Sequence, residues 1–146
     1  MWKQSKSKFG NKKVTIGNET FDSKGEWQRW LFLQDAERRG EIKDLKRQVK
    51  FVLVPTTSYT ETVQLKTKTK VVKRVFTREV TYTADFVYMK LDKETESDYL
   101  GGIQFWKKVV EDFKGMPNDR WPIKKALMAD KYGIFIREVK KPTEPI

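Results

Sequence analysis

Apolar and polar positions alternate along this chain in two different rhythms. The helical rhythm is clearest from Ser23 to Arg39, where Trp27, Trp30, Leu31, Leu33 and Ala36 supply a broad apolar face. Ser23 is a good N-cap, Glu26 completes a capping box, and Gly40 after Arg38-Arg39 is a natural stop, so a helix is expected over 23–39. A second helix is expected over 121–132, with Pro122 in its first turn and Gly133 at its end. The strand rhythm, short β-branched and aromatic runs bounded by turn residues, recurs over 14–16, 49–54, 62–65, 71–76, 81–91, 106–114 and 134–139. Glu41 to Lys50 is short and polar, with Ile42 and Leu45 as core anchors. Helix, strands, helix, strand predicts one α/β or α+β domain built on a mixed sheet flanked by helices. The expected division is an arm over 1–19, the domain over 20–140 and a proline-bearing tail over 141–146.

Two of the strands carry charge where apolar residues are the rule. Asp85 lies in Thr83-Ala84-Asp85-Phe86-Val87-Tyr88, and Glu111-Asp112 in Val109-Val110-Glu111-Asp112-Phe113-Lys114. A carboxylate in an apolar strand is costly unless it is paired or holds a metal. Strand side chains alternate faces, so Asp112 and Lys114 share one face and Glu111 takes the other. Glu111 is the alternative register partner.

Composition narrows the chemistry. The 146 residues contain no histidine and no cysteine. Ser-His-Asp hydrolysis, histidine bases, thiolate nucleophiles and cysteine or histidine zinc sites are excluded. Carboxylates, lysine, hydroxyls and a hard, oxygen-preferring cation remain. With Glu26 on the first helix, Asp85, Asp112 and Lys114 form a set suited to metal-assisted phosphodiester hydrolysis. Each member also has a plainer use. Glu26 closes the capping box, Asp85 pairs with a neighbouring lysine, and Asp112 pairs with Lys114.

The net charge of +11 and the pI near 9.7 favour a polyanionic partner, nucleic acid before an anionic membrane surface. Lys3, Lys6, Lys8, Lys12 and Lys13 make a basic arm, which reads equally as a solvated tail. Lys66, Lys68 and Lys70 alternate with threonines and would share one face of an extended strand, as a phosphate-tracking ribbon or as the guard of a sheet edge. Lys124 and Lys125 stand near the start of the second helix, placed for a phosphate or for solvent. Trp106 and Trp121 suit base stacking or the core, and Gln48 is placed near the site. Asp92, Glu94, Glu96 and Asp98 lack EF-hand spacing and read as a solvated hairpin tip. The chain has no membrane-length apolar run and no apolar core at its N-terminus, so a cytoplasmic protein with no membrane partner is expected.

Asp85, then Asp112-Phe113-Lys114, with Glu26 on a preceding helix, resembles the PD-(D/E)xK nuclease superfamily. Ala84 stands where that pattern often has proline. A closer similarity runs through Phe21-Asp22-Ser23-Lys24 with Glu26 and Arg29, Tyr82 to Tyr88, Val110 to Gly115, Ile123-Lys124-Lys125 and Lys131-Tyr132-Gly133-Ile134. These blocks are similar to a phage family of small PD-(D/E)xK-like proteins of unknown function, related to Holliday-junction resolvases and other branch-cutting endonucleases. The resemblance implies a restriction-endonuclease-like fold and a magnesium- or manganese-dependent DNA endonuclease, in the host cytoplasm if phage-encoded. It implies metal ligation by Asp85, Asp112 and the Phe113 carbonyl, with Glu26 direct or through water, and Lys114 acting on the nucleophilic water. Branched DNA would be the substrate. A homodimer would follow from the need to cut two strands in matched positions. A non-catalytic nucleic-acid binder on the same fold is the competing reading, and a phage structural or regulatory protein with an acidic partner is the third.

Overall fold

The computed structural model describes residues 12–92, 105–113 and 118–146. Lys114, the basic residues before Lys12 and the acidic segment after Asp92 lie outside these. The elements in order are β1 (Val14–Ile16), β2 (Glu19–Phe21), α1 (Lys24–Arg38), β3 (Ile42–Val54), β4 (Thr57–Gln64), β5 (Thr69–Thr77), β6 (Val80–Leu91), β7 (Trp106–Phe113), α2 (Trp121–Tyr132) and β8 (Arg137–Val139).

Four strands form the central sheet in the order β3-β6-β7-β8. β3, β6 and β7 pair antiparallel, and β8 joins β7 in parallel, with Asp112 opposite Glu138. Each face of this mixed sheet carries its own core. On one face Leu33 and Ala36 of α1 pack on Ile42, Phe86, Tyr88, Phe113 and Val139. On the other, Trp121 and Met128 of α2 pack on Leu53, Tyr82, Ala84, Val87 and Val110. Fully burying a side chain of this size contributes about 1.5–3 kcal/mol, so these two clusters supply most of the drive to fold. The fold is α+β, with two separate hairpins, β1–β2 and β4–β5, outside the sheet. The β1–β2 hairpin pairs Thr15 with Thr20 and so crosses the expected boundary between arm and domain.

Both helices fall where the apolar rhythm places them, but the inner stripe of α1 differs from its apolar face. The buried residues are Glu26, Arg29, Leu33 and Ala36, while Leu31 is exposed. Two of the inward positions are thus charged, because the N-terminal half of the helix lies over charged strand residues. β3 begins seven residues before the expected 49–54, at Ile42. Asp44 and Gln48 adopt positive φ (56° and 53°) and the register with β6 shifts between Lys43 and Lys46. Such interruptions hide a strand from any period-of-two reading. At the C-terminus only Arg137–Val139 is strand, rather than 134–139, and Phe135 is 85% exposed.

Lys66 and Lys68 lie in the turn of the β4–β5 hairpin rather than along one strand face, where Leu65 N donates to Lys68 O. Only Lys70 is on a strand, β5. No helix among the described residues is long and apolar enough to cross a membrane.

Candidate active site

The pairing of β6 with β7 runs from Leu91↔Trp106 to Phe86↔Glu111. The next residues along are Asp85 and Asp112. Here the backbone N–H of Phe113 donates to Asp85 Oδ2 at 2.8 Å. Tyr82 and Ala84 face the α2 side while Phe86 and Tyr88 face the α1 side, so alternation along β6 breaks at Asp85. The break turns Asp85 toward the end of β7. Opposite it on β3, the left-handed backbone of Gln48 sets the carboxamide to donate to Asp85 Oδ1 and to Glu26 Oε1, each at 3.3 Å.

Glu26 serves two masters from one position. The Ser23 hydroxyl accepts from Glu26 N at 3.1 Å, forming half of the expected capping box. The returning carboxylate goes one residue further back, with Asp22 N donating to Oε2 at 2.8 Å. Oε1 is left facing Gln48, with Arg47 Nη2 3.8 Å away. Capping and site membership are therefore compatible, one oxygen each. The first turn of α1 is held against β7 by a close approach at Gly25. A Cβ there would stand 2.8 Å from the Phe113 ring.

Asp112 is buried on the α2 face, where the Tyr82 hydroxyl donates to its Oδ1 at 3.2 Å. Burial pushes its carboxyl up to about 6; Glu138 and Glu26 add to the rise, and Tyr82 and Lys124 oppose it. Burial, then the charge of Asp112, likewise push Asp85 up to about 6, against its hydrogen bonds from Phe113 and Gln48. Burial raises Glu26 too; the Asp22 N–H opposes this and Asp85 adds to it. Three carboxylates thus repel one another from neighbouring elements, the state in which each prefers a proton or a cation.

Glu111, one residue earlier, is of another kind. It is fully buried and accepts from Arg29 Nε at 3.0 Å and Nη2 at 2.7 Å, from the Tyr88 hydroxyl at 2.6 Å and from Arg137 Nη1 at 3.0 Å. Both oxygens have donors from the chain, three on Oε1 and one on Oε2, so folding accounts for Glu111, and Asp112 is the carboxylate that adjoins Asp85.

The remaining expected residues divide. Lys124 is half-buried, close enough for its charge to favour the ionised form of Asp112. Lys125 Nζ donates to Glu138 Oε1 at 3.0 Å, and the Trp121 indole N–H donates to the same oxygen. Glu138 is held below the usual carboxylate range by these two donors, Lys125 first. Trp121 is therefore a buried anchor of α2 and not a stacking surface, while the Trp106 ring lies 4.1 Å from Lys43 Nζ. Lys12 and Lys13 are exposed, with Lys13 Nζ 3.5 Å from Asp22. Lys66, Lys68 and Lys70 are exposed on a hairpin outside the sheet.

Among the described residues, no three metal-ligating side chains stand close enough to enclose a cation. The Gln48 amide lies between Glu26 and Asp85, and one Asp112 oxygen is turned to Tyr82. Asp85 and Asp112 are donors of the kind that a hard divalent ion takes. Magnesium commonly takes one or two carboxylates and completes its shell with waters and substrate phosphate. Sequence reasoning gave little weight to Gln48, and it passed over Tyr82 as a polar residue and Glu138 altogether. The Tyr82-x-x-Asp85 spacing was visible, but nothing in the chain signals a left-handed glutamine.

No curated protein and no solved structure matches the chain significantly. Residues 6–141 match the family described as "Protein of unknown function (DUF1064)", a description that assigns no chemistry. The match takes in β1–β2, both helices, the whole central sheet and every residue of the carboxylate site, and the chain belongs to the DUF1064 family.

Proposed function

We propose that this protein is a magnesium- or manganese-dependent DNA endonuclease acting on branched DNA. One observation carries the reading. Asp85 and Asp112, on adjacent antiparallel strands, have carboxyls both raised to about 6, and Gln48 links Asp85 to Glu26 of α1. Hydrolysis of a phosphodiester needs that kind of anionic, oxygen-rich notch beside a positively charged surface. The mixed sheet with a helix on each face, and an acid on each of two neighbouring strands, suits the PD-(D/E)xK resemblance.

In this reading Asp85, Asp112 and the Phe113 carbonyl would hold the ion, with Glu26 taking part directly or through water. Bound there, the ion supplies Lewis acidity and offsets charge on the phosphorane-like transition state. Tyr82 fixes the orientation of Asp112, and Gln48 keeps Glu26 and Asp85 apart and aligned. Lys124 lies beside Asp112, suited to an incoming phosphate. Lys114 follows Phe113 directly, and its expected role is to orient and deprotonate the water.

The test is a cleavage panel of junction, fork, duplex and single-stranded DNA with magnesium, manganese or chelator. Cleavage should require the metal and favour branched substrates. Asp112→Asn should lower it by about a thousandfold, in line with the loss of a group that stabilises the transition state, while DNA binding in chelator persists. Cleavage by Asp112→Asn at the wild-type rate would refute the site. Binding without cleavage under any divalent metal would leave a non-catalytic DNA-binding protein.

A further inference from the structure

The β4–β5 hairpin takes no part in either core cluster. Among the described residues its side-chain hydrogen bond from Thr69 to Gln64 and its ion pair of Arg74 with Glu61 both stay within the hairpin. Val71 and Val75 are exposed, and Phe76 is 73% exposed. An isolated two-stranded ribbon is marginal in water, and its free edges invite pairing with another chain. A few lysines would suffice to guard such edges. Residues 57–77 instead carry Lys66, Lys68, Lys70, Lys73 and Arg74 against the single acid Glu61. That excess of like charge opposes a second copy of the hairpin and favours a polyanion.

Its shape selects among polyanions. Strands of eight and nine residues make a ribbon about 27 Å long. The major groove of B-DNA admits a two-stranded β-ribbon. The A-form RNA groove is too narrow for side chains to read, and a single strand offers no groove. The register gives the ribbon two unlike faces. Thr60↔Lys73, Thr62↔Val71 and Ser58↔Val75 put short hydroxyls and methyls around one lysine, Lys73, the kind of surface that meets base edges and thymine methyls. Tyr59↔Arg74, Glu61↔Val72 and Val63↔Lys70 put bulk, the Arg74–Glu61 ion pair and Lys70 on the other. The hairpin is an excursion between β3 and β6, leaving the sheet at Val54↔Val80. From Val80 to Asp85 is about 17 Å of strand, or half a turn of duplex.

We infer that the β4–β5 hairpin is a duplex-reading arm that enters the major groove of B-form DNA, rooted about half a turn from the carboxylate site. This rests on the DNA-binding part of the function proposed above. It narrows the substrate to DNA with a double-helical arm flanking the reaction point.

The test uses the full chain in chelator, with anisotropy of labelled B-DNA duplex, RNA duplex and single-stranded DNA over a salt series. The variants are the triple Lys66→Ser, Lys68→Ser, Lys73→Ser and the single Thr62→Glu, all at exposed positions. The triple variant should reduce the slope of log affinity against log salt by about 0.9 per lysine and weaken duplex binding by at least about tenfold. Thr62→Glu should weaken the duplex alone. Binding of the duplex by both variants as by wild type would overturn the arm, whatever cleavage does. Equal losses on RNA duplex and single strand would overturn the groove, as would a wild-type protein with no duplex affinity at low salt. Hairpin-dependent duplex binding without cleavage under magnesium or manganese would sustain the arm and refute the nuclease.

Discussion

Glu111 and Asp112 are consecutive on β7 and face opposite sides of one sheet. Both are buried carboxylates, yet their surroundings are unlike. Glu111 receives a bidentate guanidinium, a second arginine and a tyrosine hydroxyl. Arg29 in turn donates to the carbonyls of Pro142 and Glu144, and Arg137 to that of Pro145, so the same network fastens the C-terminal tail. Asp112 has a neutral hydroxyl, other carboxylates nearby, and a pKa raised to about 6. A buried charge with all its partners supplied by the chain is explained by folding. A buried charge raised by burial and by neighbouring carboxylates is not accounted for in that way, and it is what the proposed metal site requires.

The strongest way to break this contrast is to remove a partner from the compensated side. Arg29→Met should cost about 3–5 kcal/mol, because it strands Glu111 in the core with its charge half answered. Arg29→Met with Glu111→Leu should recover much of that loss, since apolar replacement of a whole buried pair is often nearly neutral. Denaturant titration of the single and double variants measures both. A cost under 1 kcal/mol for Arg29→Met would mean that Glu111 is no better compensated than Asp112.

The opposite substitution on the other face should do the opposite. A folded pKa above the unfolded value means stability that is present below about 4 and lost as pH rises through about 6. The ionised Asp112 and Asp85 therefore weaken the metal-free protein at neutral pH. A rise from 3.8 to about 6 corresponds to about 3 kcal/mol at 1.36 kcal/mol per pH unit. Coupling to Asp85 and a weakened hydrogen bond from Tyr82 reduce what one substitution returns. Asp112→Asn should stabilise the chelated protein by about 1–2 kcal/mol at pH 7.5 and by little at pH 4.5. Unfolding curves at the two pH values check the sign. Destabilisation comparable to Arg29→Met would place Asp112 with Glu111 among the structural charges.

What the sequence disclosed follows the same division. Helix limits, the Asp85 and Asp112 strands and the opposed faces of Glu111 and Asp112 were readable, because capping chemistry and alternation are local. The inward stripe of α1 was not, because Glu26 and Arg29 are buried by what lies beneath them, and polar spacing alone does not announce that. The early start of β3 was hidden by left-handed Asp44 and Gln48. Lys66 and Lys68 kept the alternation of a strand yet occupy a turn, since lysine and threonine carry no mark of where a ribbon reverses. Phe135 belongs to an apolar run that reads as strand, but only Ile134 and Ile136 on either side of it pack against the core.

The smallest expected effect tests how finely the uncompensated side is built. Gln48 holds a left-handed backbone that costs a non-glycine residue about 1–2 kcal/mol, and its two 3.3 Å hydrogen bonds are long. Gln48→Gly removes the strain and the bonds together, so stability should stay within about 1 kcal/mol of wild type. Gln48→Asn tolerates the same backbone, but its shorter amide leaves the Glu26–Asp85 gap unbridged. If Gln48 positions those carboxylates, both variants should lose about tenfold in metal-dependent cleavage, the usual scale for outer-shell partners of a metal site, with DNA affinity in chelator unchanged. A glycine variant that gains stability and keeps full cleavage would show that the strain serves the strand and not the site. A loss of cleavage without a loss of stability would separate positioning from folding at one residue. That is the separation that Glu111 and Asp112 display across the sheet.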